Sequence, residues 1–287
     1  DMPGLKKFKR LEPMPELPEV ETIRQQLITA LPLTIERVQF SSVADSIIKK
    51  VDRKITLTGQ TIVQIHRMGK WLEMILDNDD RILSHLGMSG SWRLWQSEQA
   101  IKHAHVLFHG KNSKNNPMIF AYVDPRRFGK MYFMTSAQAC EFRAKLGVDV
   151  SSSEFTIDYI AQTLRKYPAR AIKAFLLDQQ FFAGVGNYIA CEICAHARIR
   201  PTRKAKSITL EEVTKIHAAT KVVIAGQLPK GGLTFQGGYL DAFGEKGQGL
   251  ESLVVFHQKI CGLCQRGKIK KIVLAQRSTF YCPACQK

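Results

Sequence analysis

Cys261-Gly-Leu-Cys264 and Cys282-Pro-Ala-Cys285 form two CxxC pairs with 17 residues between them. Four thiolates at that spacing suit one tetrahedral zinc gripped by two facing knuckles, with no coordination position left for a substrate. The metal is therefore expected to be structural, and the intervening GKIKKIVLAQRSTFY reads as a hairpin. A redox dithiol is the competing reading, and the compact span favours zinc. Cys191 and Cys194 also sit three apart, but within a helical pattern that includes Ile189 and Ile193. They read as buried thiols, and Cys140 carries no signal. Residues 256–287 hold seven Lys and Arg (259, 266, 268, 270, 271, 277, 287) and not one acid. On a metal-pinned hairpin that excess suits a surface for phosphates rather than an ordinary solvated face. HARIRPTRKAK adds Arg198, Arg200, Arg203, Lys204 and Lys206.

The whole chain agrees with its tail. Its 287 residues carry 42 Lys and Arg against 25 Asp and Glu, a formal charge of +17. Such an excess points to a polyanionic partner, with nucleic acid ahead of an anionic membrane surface. No run approaches the roughly 18 apolar residues needed to span a bilayer, and the start lacks a secretory h-region. A soluble intracellular protein with reduced thiols and no membrane partner is expected.

These residues need elements to position them. Val20, Ile23, Leu27 and Leu31 recur at helical spacing, with Pro18 near the start, where proline is tolerated. From about 35 to 134 short strand-like runs follow one another (TIVQIH, WLEMILD, RILSHLG, MIFAYVD, KMYFM), which suits an antiparallel sandwich or barrel. In WLEMILD, Leu72, Met74 and Leu76 alternate with Glu73 and Ile75. After Gly147 the pattern turns helical: serine caps, then Ile157, Ile160 and Leu164, then AIKAFLLDQ, GNYIACEICAHA and TLEEVTKIHAATKVVIAG. The glycine-rich stretch 229–250 reads as a mobile loop. Residues 1–14 read as a short, basic, disordered extension or remnant.

Five motifs occur in one order: MPELPEVET at 14–22, HLGMSG at 85–90, DPRRFG at 124–129, GVGN at 184–187 and QRSTFYCPAC at 276–285. Together with the cysteine pairs they make residues 14–287 resemble the formamidopyrimidine-DNA glycosylases of the Fpg/Nei base-excision repair family. PELPEVE and Lys70 favour the formamidopyrimidine branch over the endonuclease VIII branch. The resemblance implies an α+β multidomain chain: an N-terminal β-sandwich catalytic domain (15–147), a helix-two-turn-helix domain with a lesion-recognition loop (148–255, loop 229–250) and a C-terminal zinc finger (256–287). It implies a bifunctional glycosylase and AP lyase that excises oxidised purines (8-oxoguanine, formamidopyrimidines) from double-stranded DNA, acts on abasic sites, and works as a monomer.

Residue by residue, the family's nucleophile, an N-terminal proline amine, corresponds to Pro15. Glu16 corresponds to the acid-base residue at the sugar, Glu19 to its support, Lys70 to the lysine assisting β-elimination, and Arg277 to the finger arginine of δ-elimination. Asn187 matches a phosphate-clamping asparagine at a helix entrance, where anions are favoured in any case. Met88, Arg126 and Phe128 match the trio that fills the void left by an everted nucleotide, at a cost of a few kcal/mol for the eversion. His103, Lys173 and Arg165 or Lys166 are further DNA contacts by position. Cys261, Cys264, Cys282 and Cys285 are the zinc ligands. Two departures qualify the match. Pro15 is an amide in the chain as written unless translation starts at Met14 and that methionine is removed. The loop LTFQGGYLDAFGEKGQG follows no common version of the family's, so lesion preference stays open. A non-catalytic zinc-finger DNA-binding protein with a blocked proline is the first alternative, and an RNA-binding module the second.

Overall fold

The computed structural model describes residues 14–49, 55–235 and 238–287. Except for Met14, the expected extension lies outside the described residues. Helix α1 (Leu17–Leu27) buries Val20, Ile23 and Leu27 on one stripe and carries Pro18 in its first turn. At its start the Glu16 amide donates to Glu19 Oε2 (2.7 Å), so the two acids of the PELPE segment already meet through the geometry of the helix entrance.

Strands β1 (Leu33–Phe40), β2 (Thr61–Met68), β3 (Trp71–Leu76), β4 (Arg81–His85), β5 (Ser91–Trp95), β6 (Ala104–Asn112), β7 (Pro117–Val123) and β8 (Lys130–Met134) follow. Among the described residues they pair antiparallel in the order β5-β7-β6-β1-β2-β3-β4-β8. β1 and β2 share just two register pairs, Leu33↔Ile62 and Thr34↔Thr61, whereas β1–β6 and β2–β3 form long ladders. The order therefore divides into two four-stranded layers joined at one corner. Trp92, Phe108 and Phe120 of one layer pack with Leu72, Met74 and Ile82 of the other and with Ile23 and Leu27 of α1. The expected β-sandwich is this single core.

One departure from the alternating pattern has a clear cause. Glu73 does not face water but is fully buried, because Arg143 donates to both its carboxylate oxygens (2.7 and 2.9 Å) and Arg81 lies 3.4 Å away. Arg143 ends helix α2 (Ser136–Arg143), a mostly polar helix that starts on the Thr135 hydroxyl and has too little apolar periodicity to be read from sequence.

The helical half contains α3 (Ile157–Lys166), α4 (Ile172–Leu176), α5 (Asn187–His196) and α6 (Leu210–Gln227) around a second core. The caps of α3 and α6 are Thr156 and Thr209, each hydroxyl accepting an amide three residues on; the expected serines play no such part. Buried Glu192 of α5 accepts the amides of Val254, Val255 and Phe256 (2.7–2.9 Å) and so fixes the chain leading to the cysteine-bearing tail. There Lys270–Leu274 and Arg277–Tyr281 form the expected hairpin, turning through Ala275 and Gln276, both at positive φ.

The described parts of the glycine-rich stretch, 229–235 and 238–250, expected to be mobile, are docked on the rest of the protein. Leu94 of edge strand β5 donates to Ala242 O (2.9 Å), Ser91 Oγ to Leu240 O (2.5 Å), and Gln26 exchanges two 2.7 Å bonds with Asp241 and Ala242. Tyr239 and Ala242 join the sandwich core. The stretch's bonds to β5 are made by main-chain carbonyls, which no side-chain pattern in the sequence reports.

Candidate active site and zinc centre

Pro15 is buried at the entrance to α1, and Glu16 turns from it toward the start of α5. Its carboxylate accepts the amides of Gly186 (2.7 Å), Tyr188 (2.9 Å) and Ile189 (3.2 Å). A β-carbon on Gly186 would stand 2.2 Å from the Glu16 carboxyl carbon, so the GVGN glycine is what lets the acid reach the helix. Glu19 lies beside it, accepting from Tyr188 Oη (3.0 Å), the Leu233 amide and the Glu16 amide. The two acids thus stitch α1, α5 and the glycine-rich excursion together.

Lys70 occupies the two-residue turn between β2 and β3, after Gly69 at φ +60. A side chain on Gly69 would collide with the Gly184 amide at 2.9 Å, so glycine lets the turn rest against the GVGN loop. The turn is clamped from behind by Asp149, whose Oδ2 accepts the Gly69 amide (2.7 Å) and Arg67 Nη1. Arg67 also donates to Glu21 (3.0 Å) and Ser151 (2.7 Å).

Burial dominates the electrostatics. It raises the Glu16 carboxyl above the usual range, against the pull of Lys70 and three amides. Glu19 is pushed up to about 7 by burial and by the Glu16 charge. Burial likewise lowers the Lys70 ammonium, opposed by Glu16 and Glu19 and aided by Arg277. Burial thus moves two acids and an amine toward neutrality from opposite sides, the kind of perturbation that clusters at functional sites. Glu16 and Lys70 line a cleft of about 330 Å³ together with Met14, Arg170, Asn187 and Arg277 among others; Glu19 is buried behind Glu16.

Asn187, the first residue of α5, donates to Ser278 O (2.9 Å) and accepts from Lys173 Nζ (2.7 Å). Lys173 also donates to Thr279 Oγ1 (2.7 Å) and is 0% exposed. Two of its ammonium donors thus tie the helical half to the hairpin that carries Arg277. Lys166 and Arg165 are exposed at the end of α3 and do not line the cleft with Glu16.

Met88, Arg126 and Phe128 come from two loops joined by fully buried Asp124. Its carboxylate accepts Ser89 Oγ (2.8 Å) and the amides of Gly129 (2.8 Å) and Arg126 (3.3 Å). Phe128 is 53% exposed, with the Arg126 guanidinium 5.1 Å from its ring centroid. An apolar ring projecting into solvent on a braced loop is not core packing. His103 is exposed beside it, its carbonyl accepting the Asp124 amide. The Met88 turn follows His85, whose ring burial pushes down to about 3; neutral Nδ1 then accepts the Gly87 amide (3.1 Å).

The four sulfurs of Cys261, Cys264, Cys282 and Cys285 lie within 4.8 Å of one another. Two pairs, Cys261–Cys285 and Cys264–Cys282, are 3.7 Å apart. A tetrahedron with Zn–S bonds of about 2.3 Å has edges of about 3.8 Å, so the set fits one structural zinc. Cys191 and Cys194 are buried in α5 with thiols raised by burial, as expected of packing cysteines.

Sequence reasoning missed Arg67, Asp149, Glu192, Tyr188 and Thr279. Each acts across a long sequence separation, so no local pattern marked it.

Three family models match the chain: the formamidopyrimidine-DNA glycosylase N-terminal domain over residues 14–131, the formamidopyrimidine-DNA glycosylase H2TH domain over 146–237, and the zinc finger found in FPG and IleRS over 266–287. A formamidopyrimidine-DNA glycosylase of Listeria monocytogenes serotype 4b is 36% identical over 96% of this chain and 100% of its own length. One from Shouchella clausii is also 36% identical, over 95% and 99%. Among solved structures, Lactococcus lactis Fpg in complex with DNA containing an abasic site superposes with a TM-score of 0.82 at 28% identity, covering 95% of this chain and 100% of that one. The MutM (Fpg) protein of Thermus thermophilus gives 0.80 at 30%, covering 95% and 98%.

Proposed function

The chain belongs to the formamidopyrimidine-DNA glycosylase family, and from that premise we propose how its own residues carry out the chemistry. It is a DNA glycosylase for oxidised bases whose partner is damaged double-stranded DNA. The further step, AP lyase action through a Schiff base at Pro15, is our reading. The observation that carries it is the buried Glu16–Glu19–Lys70 set at the Pro15 entrance to α1, of which Glu16 and Lys70 line a cleft with Arg277 and Asn187.

With Pro15 as a free secondary amine, its nitrogen attacks C1′ of the damaged nucleoside and the base leaves with the glycosidic electron pair. Glu16, its carboxyl raised by burial, passes the proton released by the Pro15 nitrogen to the ring oxygen as the sugar opens to an iminium. Loss of a C2′ proton then expels the 3′ phosphate, with Lys70 assisting. A second elimination expels the 5′ phosphate beside Arg277. Glu19 keeps Glu16 and the α1 entrance in place. Asn187 grips the backbone with the hairpin. Met88, Arg126 and Phe128 occupy the space left by the everted nucleotide, and His103 lies on the same face. Lys166 contributes a peripheral phosphate contact. Residues 15–147, 148–255 and 256–287 act as catalytic sandwich, helical clamp and zinc finger, in one protein molecule per lesion.

The test is a duplex with one 8-oxoguanine opposite cytosine, incubated with a form that starts at Pro15. Strand scission should match base loss measured after alkali, leaving phosphate at both ends of the gap. Base loss without scission would remove the lyase step. Binding without either would favour the non-catalytic zinc-finger reading.

A further inference from the structure

Arg170 belongs to none of the motifs above, yet its side chain lines the cleft with Glu16, Lys70, Asn187 and Arg277. It is held from two sides. Nη1 donates to Asp178 Oδ2 at 2.8 Å, and the guanidinium lies 5.2 Å from the Phe175 ring centroid. That engages one of the five N–H donors an arginine carries. The side chain keeps 35% of its surface exposed, and among the described residues its other donors meet no protein acceptor. Arginine–carboxylate pairs are frequently fork-to-fork, with two parallel N–H···O bonds. A single-point pair with a stacked ring instead fixes the plane of the group and leaves the fork open.

Asp178 has its own reason to be there. Its Oδ1 accepts the Gln180 amide (3.0 Å) and its carbonyl accepts the amides of Phe181 and Phe182, which builds the turn leading to the GVGN loop. The acid shapes the turn, and the arginine leans on it.

We infer that Arg170 is a phosphate contact of the catalytic cleft, its guanidinium seated on the Phe175 ring and acting alongside Arg277 and Asn187. This rests on the DNA reading above. It also accounts for an otherwise uncancelled acid in a cleft for a polyanion: Arg170 masks Asp178 and turns the pair's remaining hydrogen-bonding capacity toward the ligand.

The test measures affinity of the full chain for a duplex carrying a tetrahydrofuran abasic analogue, between about 50 and 200 mM KCl. It needs no catalysis and no free Pro15 amine. Arg170→Gln should weaken binding about tenfold, the loss of a charge-assisted bond. It should also flatten the slope of log K against log salt by about 0.9, one phosphate's worth of counterions. Asp178→Asn, which keeps an oxygen for Gln180 and releases Arg170, should hold the wild-type slope with equal or tighter binding. An unchanged slope in Arg170→Gln overturns the inference. So does a loss in Asp178→Asn as large as in Arg170→Gln, which would make the pair a structural strut. If Arg170→Gln fails to fold, Arg170→Met, which keeps an apolar stem against the Phe175 ring, takes its place with the same expected loss of slope. Wild-type protein with no preference for the abasic analogue over intact duplex would instead refute the DNA-lesion reading, and the inference with it.

Discussion

Replacing Asp149 with Asn should expose how the lysine turn is held. The carboxylate accepts five hydrogen bonds: Gly69 N and Arg67 Nη1 at Oδ2, and Arg67 Nη2 (3.3 Å), Ser151 N (2.9 Å) and Ser151 Oγ (2.6 Å) at Oδ1. Asparagine can keep the Oδ1 set, but its amide group then faces two donors. The Gly69 N–H loses its acceptor, at about 1–3 kcal/mol, and the charge-assisted bond from Arg67 is lost, at about 1.5–3 kcal/mol. The Arg67 and Asp149 side chains are 9% and 18% exposed, so water makes up part of the loss. Arg67 also keeps its bond to Glu21. A net cost of about 3 kcal/mol follows. Urea unfolding at pH 7 should show it as a lower midpoint at unchanged slope.

The pH dependence supplies a second signature. Burial alone would raise the Asp149 pKa, but Arg67 and Ser151 hold it below its ordinary 3.8. A depressed carboxylate contributes stability that is present above the unfolded value and lost as pH falls through the folded one. The gap between wild type and Asp149→Asn should therefore narrow below pH 3.8. The reasoning is refuted by a cost under about 0.5 kcal/mol at pH 7, the scatter of ordinary surface changes, or by a gap that persists undiminished at pH 3.

Other expectations follow from the same geometry. Glu19, raised to about 7, contributes stability that is present below its ordinary 4.5 and lost as pH rises to about 7. The loss is on the order of 3 kcal/mol. Glu19→Gln should flatten that slope in melts taken from pH 4.5 to 8. Phe128→Ala should leave the melting temperature within a degree or two, since the ring is exposed, and weaken binding to lesion duplex about tenfold, read by fluorescence anisotropy. Chelating zinc should unfold the hairpin and abolish DNA binding, because Arg277 and the Ser278 and Thr279 acceptors ride on it. Circular dichroism and release of one zinc per chain would check this.

Much of the architecture was legible because it is periodic or short-range. The strands begin and end close to the expected 35–134 window and the CxxC pairs converge. What stayed hidden was long-range and polar. Helix α2 has little apolar periodicity and is held by the Thr135–Gln138 capping box and by Arg143 on buried Glu73. Lys173 looks like a surface cation in sequence and is an internal tie. The glycine-rich excursion reads as loose because its anchors on β5 are main-chain carbonyls, which no side-chain pattern reports.

The central claim is that Pro15, as a free amine, is the nucleophile. Borohydride reduction during reaction with an 8-oxoguanine:cytosine duplex tests it most directly, comparing a form that starts at Pro15 with the chain as written. The account predicts a covalent protein–DNA adduct from the Pro15 form alone, mapped by peptide sequencing to that residue. Trapping at a lysine such as Lys70, or by neither form despite tight lesion binding, would contradict it.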